Sequence, residues 1–113
     1  MGIIPEFKRL AFMDYPDYRV GSDGSVWSRK NNRWGIGKWR MLKLFRSASF
    51  GHMSVALSNK NGQRFFRVHR LVLSAFVGPC PVGMEACHFP DRNPSNNHLE
   101  NLRWDTPEIT IAT

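Results

Sequence analysis

The stretch from residue 53 to residue 79 constrains the fold of this chain more than any other part of its sequence. Residues 53–57 alternate between apolar and small or polar side chains, which is typical of a strand with one buried face. Residues 59–62 form an Asn-Lys-Asn-Gly turn sequence, and residues 64–67 can return as the partner strand. The pattern therefore predicts an antiparallel hairpin over residues 53–67.

A helical repeat follows this hairpin directly. The spacing of its apolar residues predicts an amphipathic helix over residues 68–77, with an apolar stripe made by Val68, Leu71, Val72, Ala75 and Phe76. Gly78 and Pro79 should end the helix, because glycine accepts a left-handed cap and proline cannot continue. His69 and Arg70 fall off the stripe, where a structural or phosphate-contacting role is favoured over catalysis.

Two further segments of the chain have strand character. Short β-type runs flank an Asp23-Gly24 turn, which predicts a small hairpin near residues 18–28. Near the other end, residues 86–88 and 102–104 are expected to be short strands on either side of a turn-rich loop. Thr106 and Pro107 have the character of an N-cap and a first helical position. The expected order there is strand, loop, strand and helix.

Length and composition favour a small globular protein. The 113 residues, of which 42% are apolar, suffice for a modest core. No apolar run approaches the roughly 18 residues that a membrane span needs, and the first residues lack the pattern of a signal peptide. We therefore expect a cytoplasmic protein with no membrane partner.

The distribution of charge indicates a polyanionic partner. The formal net charge is +7, and the nine acidic residues all lie outside residues 25–83. A long segment of one sign attracts nucleic acid, whereas a basic protein kept soluble by charge would be served better by mixed signs. Within residues 29–43, arginine and lysine alternate with Trp34, Trp39 and glycines, a composition suited either to stacking on bases and sugars or to a loop whose tryptophans complete the core. The expected DNA-contacting residues are Arg29, Lys30, Arg33, Lys38, Arg40, Lys43, Arg46, Arg64 and Arg67.

The two cysteines are compatible with two structural interpretations, a disulfide and a zinc site. A disulfide between Cys80 and Cys87 would close a loop containing two prolines, which a reducing cytosol disfavours. A zinc site could instead use Cys80, Cys87, His88 and His98, although the paired Cys-x-x-Cys spacing is missing.

Residues 85–106 resemble the HNH endonucleases of the ββα-metal class, in the form found in phages and group I introns. The resemblance rests on His88, Pro90-Asp91, Asn93-Pro94, Asn96-Asn97 and residues 101–106, Asn-Leu-Arg-Trp-Asp-Thr. Upstream, residues 15–20, 24–26 and 66–76 resemble the companion module of homing-type nucleases, so the match spans roughly residues 7–110.

The resemblance implies an α+β fold: small N-terminal β-hairpins and a helix leading into a C-terminal ββα-metal motif with a shortened last helix. It divides the chain into a β-rich DNA-contacting module, residues 1–50, and an HNH nuclease domain, residues 51–113, whose ββα motif covers 84–113. The two parts could equally form one compact unit. The implied activity is metal-dependent hydrolysis of phosphodiester bonds in double-stranded DNA, by a phage-encoded enzyme acting in a bacterial host.

The resemblance also implies residue roles. His88 would be the general base, Asn101 would brace its loop, and one divalent cation, Mg²⁺ or Mn²⁺, would bind the scissile phosphate. The family ligand positions are occupied by Cys87 and Thr110, a thiol and a hydroxyl, which are poor ligands for such ions. A catalytically weakened or inactive DNA-binding module derived from an HNH nuclease is therefore the alternative function.

Other polar residues of the loop have plainer interpretations. Asn93, Asn96 and Asn97 suit turn capping as well as they suit a site, and His98 is expected to be an exposed loop residue.

Overall fold

The computed structural model of the chain describes residues 4–29, 37–47 and 51–106. The described elements are β1 (Phe7–Leu10), β2 (Tyr15–Gly21), β3 (Val26–Ser28), β4 (Arg40–Met41), β5 (Phe45–Arg46), β6 (Met53–Asn59), β7 (Gly62–Arg67), α1 (Val68–Phe76), β8 (Glu85–His88) and β9 (Leu102–Asp105). The strands form three antiparallel sheets, ordered β1-β2-β3-β4, β5-β6-β7 and β8-β9. The predicted α+β class is confirmed.

The first sheet contains the hairpin predicted near residues 18–28. Strands β2 and β3 pair with Tyr18 opposite Ser28 and Val20 opposite Val26. In the turn between them, the Asp23 side chain accepts a hydrogen bond from the Ser25 amide at 3.0 Å, and Gly24 has φ +87°. Glycine is needed here because other residues rarely adopt that backbone conformation.

The second hairpin passes into the helix without a connector, as predicted. Strands β6 and β7 pair from Asn59 opposite Gly62 to Ser54 opposite Arg67, and α1 begins at the next residue. The helix ends at Phe76, one residue before the predicted end, and the Gly78 amide donates to the Leu73 carbonyl at 3.0 Å. This bond is the expected glycine-assisted termination.

The prediction that His69 lies off the buried face of α1 is wrong. Its side chain is only 4% exposed, and Leu73, which is also outside the predicted stripe, is fully buried. The helix contacts β1, β2, β6, β7, β8 and β9, so it is covered on more sides than the apolar stripe alone indicates.

The β8-β9 ribbon agrees with the two short strands predicted around the loop. Ala86 lies opposite Trp104 and His88 opposite Leu102, so these four residues share one face of the ribbon. Leu102 is buried, and Ala86 and Trp104 pack against the same core. The predicted shortened helix after Thr106 lies outside the described residues.

One hydrophobic cluster joins the described parts of the chain. It includes Leu10 and Val20 from the first sheet, Leu57 from the second, Leu71 from α1 and Leu102 from the ribbon. The predicted division into a DNA-contacting module, residues 1–50, and a nuclease domain, residues 51–113, stays a prediction. Among the described residues, no helix has the length and apolar character needed to cross a membrane.

Candidate active site

His88 stands at the end of β8, with one ring nitrogen held by a buried side chain. Its Nε2 lies 2.8 Å from Oδ1 of Asn97, which is only 5% exposed. Because an amide oxygen can only accept, Nε2 carries the proton in the neutral ring and Nδ1 carries the lone pair. Half-buried His88 also lines an open cleft of about 280 Å³ together with Arg92 and Arg103. The arrangement suits a proton acceptor at Nδ1.

Asn101 fastens the loop between β8 and β9 from inside. Its side-chain oxygen accepts a hydrogen bond from the Asp91 amide at 2.9 Å. Its side-chain nitrogen donates to the carbonyls of Asp91 at 2.8 Å and Asn96 at 3.1 Å. The Phe89 amide, directly after His88, donates to the Asn101 carbonyl at 2.9 Å. A single residue that is 4% exposed thus joins both ends of the loop to the start of β9.

The remaining loop side chains cap turns, as their plainer interpretation suggests. Asp91 accepts from the Asn93 amide at 3.0 Å, and Asn93 accepts from the Ser95 amide at 3.0 Å. The bond from the Asn93 amide, followed by that from the Asn96 side chain, lowers the pKa of Asp91. His98 is exposed, as expected.

The turn of the first hairpin supports the residue that orients His88. The Leu99 amide donates to the Ser22 carbonyl at 2.7 Å. A Cβ added to Gly24 would lie 2.8 Å from both Cβ and the carbonyl oxygen of Asn97. The N-terminal sheet therefore touches the loop at the residue that binds His88 Nε2.

Three imidazole rings come together beside the cleft. The ring centroid of His69 lies 5.0 Å from that of His52 and 4.9 Å from that of His88, and His52 and His88 are 6.2 Å apart. One ligand atom from each residue lies within 4.8 Å of the others. His52 Nδ1 also contacts the Arg67 guanidinium, which donates the hydrogen bond. Three histidines are thus able to form a metal site.

Burial lowers the pKa of two members of this cluster, His52 and His69. Desolvation, followed by neighbouring His88, His52 and two arginines, lowers the pKa of His69 to about 3. Desolvation, then Arg67 and His88, also lower the pKa of His52, against a smaller opposing effect of Glu85. Uncharged imidazoles retain a lone pair, which a metal ion requires.

Comparison with known proteins finds a family to which this chain is similar. Residues 66–109 match a family model for HNH endonucleases. A solved structure reported as "DNA binding and cleavage by the HNH homing endonuclease I-HmuI" matches with a TM-score of 0.71 at 30% identity, over 89% of this chain and 52% of that chain. The resemblance to the HNH endonucleases is confirmed.

Two curated relatives carry the same family name. Both are uncharacterized HNH endonucleases of Acanthamoeba polyphaga mimivirus. One is 29% identical over 99 residues, which are 88% of this chain and 22% of the relative. The other is 26% identical over 102 residues, which are 90% of this chain and 27% of the relative. The chain therefore spans about a quarter of the length of these relatives.

The HNH positions expected to hold a metal are occupied by groups that fit Mg²⁺ poorly. Cys87 offers a thiol, whereas Mg²⁺ prefers oxygen ligands, and Thr110 lies outside the described residues. Cys87 and His88 are successive residues of β8, and both line the open cleft together with His52. The three-histidine cluster does not include Cys87.

The zinc set of two cysteines and two histidines is not assembled. Cys80 and Cys87 are not joined by a disulfide, and the Cys80 thiol contacts the Met84 carbonyl at 3.1 Å. Within residues 4–29, 37–47 and 51–106, the metal-capable group of three or more consists of His52, His69 and His88. Only His88 is shared with the predicted set.

The predicted DNA-contacting residues are spread over two sheets and the loops around them. Lys30 and Arg33 lie outside the described residues, whereas Lys38, Arg40, Lys43, Arg46, Arg64 and Arg67 are exposed. The half-buried Arg29 lies over the Trp39 ring, 4.9 Å from its centroid. Arg46 donates to Ser95 Oγ at 2.8 Å, which joins the second sheet to the loop between β8 and β9. Arg64 and Arg67 face opposite sides of β7, since they are three residues apart in a strand.

Sequence reasoning missed three residues that shape the site. His52 and His69 are separated from His88 by 36 and 19 positions, and no local spacing links them. The sequence marks Asn97 equally as a turn former or a site residue, and the structure shows it buried and bonded to His88. The one local signal was an unexplained histidine within the helical repeat.

Proposed function

We propose that this chain is a DNA endonuclease of the HNH type, which hydrolyses phosphodiester bonds of double-stranded DNA with His88 as general base. The observation that supports this most directly is the Asn97 bond to Nε2, because it leaves the Nδ1 lone pair of a neutral ring at an open cleft. A water molecule that attacks phosphorus would give a proton to Nδ1 while the bond to the 3′ oxygen breaks.

Other residues serve this reaction by position and charge. Asn97 holds the tautomer and the ring orientation of His88, and Asn101 holds the loop that carries Asn97. Arg46, Arg64 and the other exposed cations meet the DNA backbone, so affinity should fall steeply with salt.

The proposal includes one divalent cation, Mg²⁺ or Mn²⁺, as the family resemblance implies. The Cys87 thiol is a poor ligand for either ion. The transfer of a proton from water to His88 Nδ1 is therefore assigned to residues of this chain alone. The viral origin of the two curated relatives favours a phage or viral enzyme that acts in the cytoplasm of its host.

Conversion of supercoiled plasmid to open-circle or linear DNA tests the proposal. We expect cleavage in Mg²⁺ or Mn²⁺, and its loss in His88→Ala, because no other group would replace the Nδ1 base. His98→Ala is the matched control, since His98 is an exposed histidine of the same loop. If His88→Ala cleaves as fast as the wild type, the assignment of the base is wrong.

The second candidate function is a DNA-binding module without nuclease activity. The observation that favours it is the thiol of Cys87 at a position where the family resemblance implies a metal ligand. A protein that retards DNA in a gel at low salt, yet leaves plasmid supercoiled in Mg²⁺, Mn²⁺ and Co²⁺, would establish this function instead.

A further inference from the structure

The three histidine rings form a triangle and not a linear stack. In a linear stack, the outer rings would be nearly twice as far apart as each is from the middle one. The outer rings of His52 and His88 are only 6.2 Å apart, against 5.0 and 4.9 Å to His69, so the centroids form a triangle. The rings lie within 15–24° of parallel, and one nitrogen from each lies within 4.8 Å of the others.

His69 is the buried member of the three. Its side chain is 4% exposed, and its ring stacks on those of both His52 and His88. His52 and His88 are half-buried and line the open cleft, so an ion can reach the three rings.

The chemistry of the donors selects the ion. Imidazole nitrogen suits Zn²⁺, Ni²⁺ and Cu²⁺, whereas Mg²⁺ requires oxygen ligands. Three histidines with a fourth position open to solvent are a known arrangement for zinc, with bonds of about 2.0–2.1 Å. These bonds require the nitrogens to lie closer together than 4.8 Å, so the imidazole rings must turn when an ion binds.

We propose that His52, His69 and His88 form a binding site for a transition-metal cation of the Zn²⁺ class, and that its occupancy inhibits DNA cleavage. Its ligands differ from the residues at the family metal positions, because Cys87 is not among the three grouped histidines. The inhibitory part rests on the proposed function, in which His88 is the general base.

Inhibition follows from the hydrogen bond that orients His88. Because Nε2 is held by Asn97, the nitrogen available to a metal is Nδ1. The same lone pair would accept the proton of the attacking water. Metal binding and proton transfer therefore exclude each other at this atom.

Arg67 opposes the metal and tunes the affinity of the site. Its guanidinium donates to His52 Nδ1, which fixes the proton of the neutral His52 ring on Nε2. Metal binding to this ring requires the arginine to move away, which its exposed position permits. Replacement by an uncharged side chain removes both the competing hydrogen bond and the repulsion of the cation.

Direct binding tests the site without reference to cleavage. Titration of the metal-free protein with Zn²⁺ by calorimetry should show one ion per chain, and Co²⁺ should give the visible absorption of a tetrahedral site. His52→Gln should weaken Zn²⁺ binding by about tenfold or more, and Arg67→Gln should strengthen it. His98→Gln, at the exposed loop histidine, should bind as the wild type does.

Two outcomes would overturn the proposed metal site. One is an absence of Zn²⁺ binding. The other is a His52→Gln variant that binds Zn²⁺ with wild-type affinity while its circular dichroism shows that it is folded. His69→Gln provides a second loss of a ligand, but it removes a buried side chain, so the half-buried His52 is the more informative position.

Plasmid cleavage tests the inhibitory role separately. Micromolar Zn²⁺ added to the Mg²⁺ reaction should inhibit the wild type, and His52→Gln should resist the same concentration. Stimulation by Zn²⁺, or equal inhibition of both proteins, would overturn this role even if Zn²⁺ binds. If the protein cleaves no DNA in any metal, the proposed function fails, and the binding titration still decides whether the site exists.

Discussion

The burial of His69 predicts a specific loss of stability in acid. Its pKa is about 3 in the folded protein, against 6.5 for the ordinary side chain, so the unfolded chain binds a proton that the folded chain does not. The free energy of unfolding must therefore rise with pH between these values and fall as the solution is acidified. The slope is about 1.36 kcal/mol per pH unit. Between pH 8 and pH 5 the His69 contribution amounts to about 2 kcal/mol.

Urea denaturation from pH 5 to pH 8, in buffer containing a chelator, measures this loss directly. The glutamine of His69→Gln cannot titrate. The free energy of unfolding of this variant should therefore depend less steeply on pH, because about one proton fewer is bound on unfolding. His52 has a lowered pKa as well and leaves part of the acid sensitivity in that variant. His98→Gln should keep the wild-type slope. If His69→Gln loses the same free energy at pH 5 and pH 8, His69 is not held neutral by the fold.

Three other substitutions test the support of the loop and the charge of the surface. Asn101→Ala should lower the free energy of unfolding by about 3 kcal/mol, because it leaves one backbone amide and two carbonyls without their hydrogen-bond partner. Asn93→Ala should lower it by less than about 1 kcal/mol. Equal losses in urea denaturation would contradict this. Gly24→Ala should slow plasmid cleavage more than Gly83→Ala, since both glycines have positive φ but only the Cβ at position 24 meets Asn97; equal rates would refute that support. Arg64→Gln should reduce the slope of log affinity for DNA against log salt by about one, and an unchanged slope would remove Arg64 from the interface.

The elements of the fold could be predicted because their signals are local. The alternation in residues 53–57, the Asn-Gly turn and the helical repeat after residue 67 each describe one element. His69 could not be placed, because a helical stripe marks only the most apolar face. The residues that cover the rest of α1 come from β8, β9 and the first sheet, and periodicity contains no information about them.

Within the candidate site, only the residues that belong to the family pattern could be predicted from the sequence. His88 and Asn101 belong to that pattern, and the structure places them at the two ends of the loop between β8 and β9. Gly24 and Asn97 are separated by 73 positions, and each alone has the character of an ordinary turn residue. Their contact depends on how the first hairpin packs against the loop, which is a property of the folded chain.

The register of two hairpins decides which chemistry the cleft offers. In the ribbon, Ala86, Leu102 and Trp104 pack against the core, and His88 shares their face. A slip of one residue would turn His88 outward and bring Cys87 towards α1. In the second hairpin, Ser54 pairs with Arg67 at the point where β7 becomes α1, which brings His52 beside the first turn of the helix. The apolar packing that stabilises the two hairpins thus also brings the three imidazoles together.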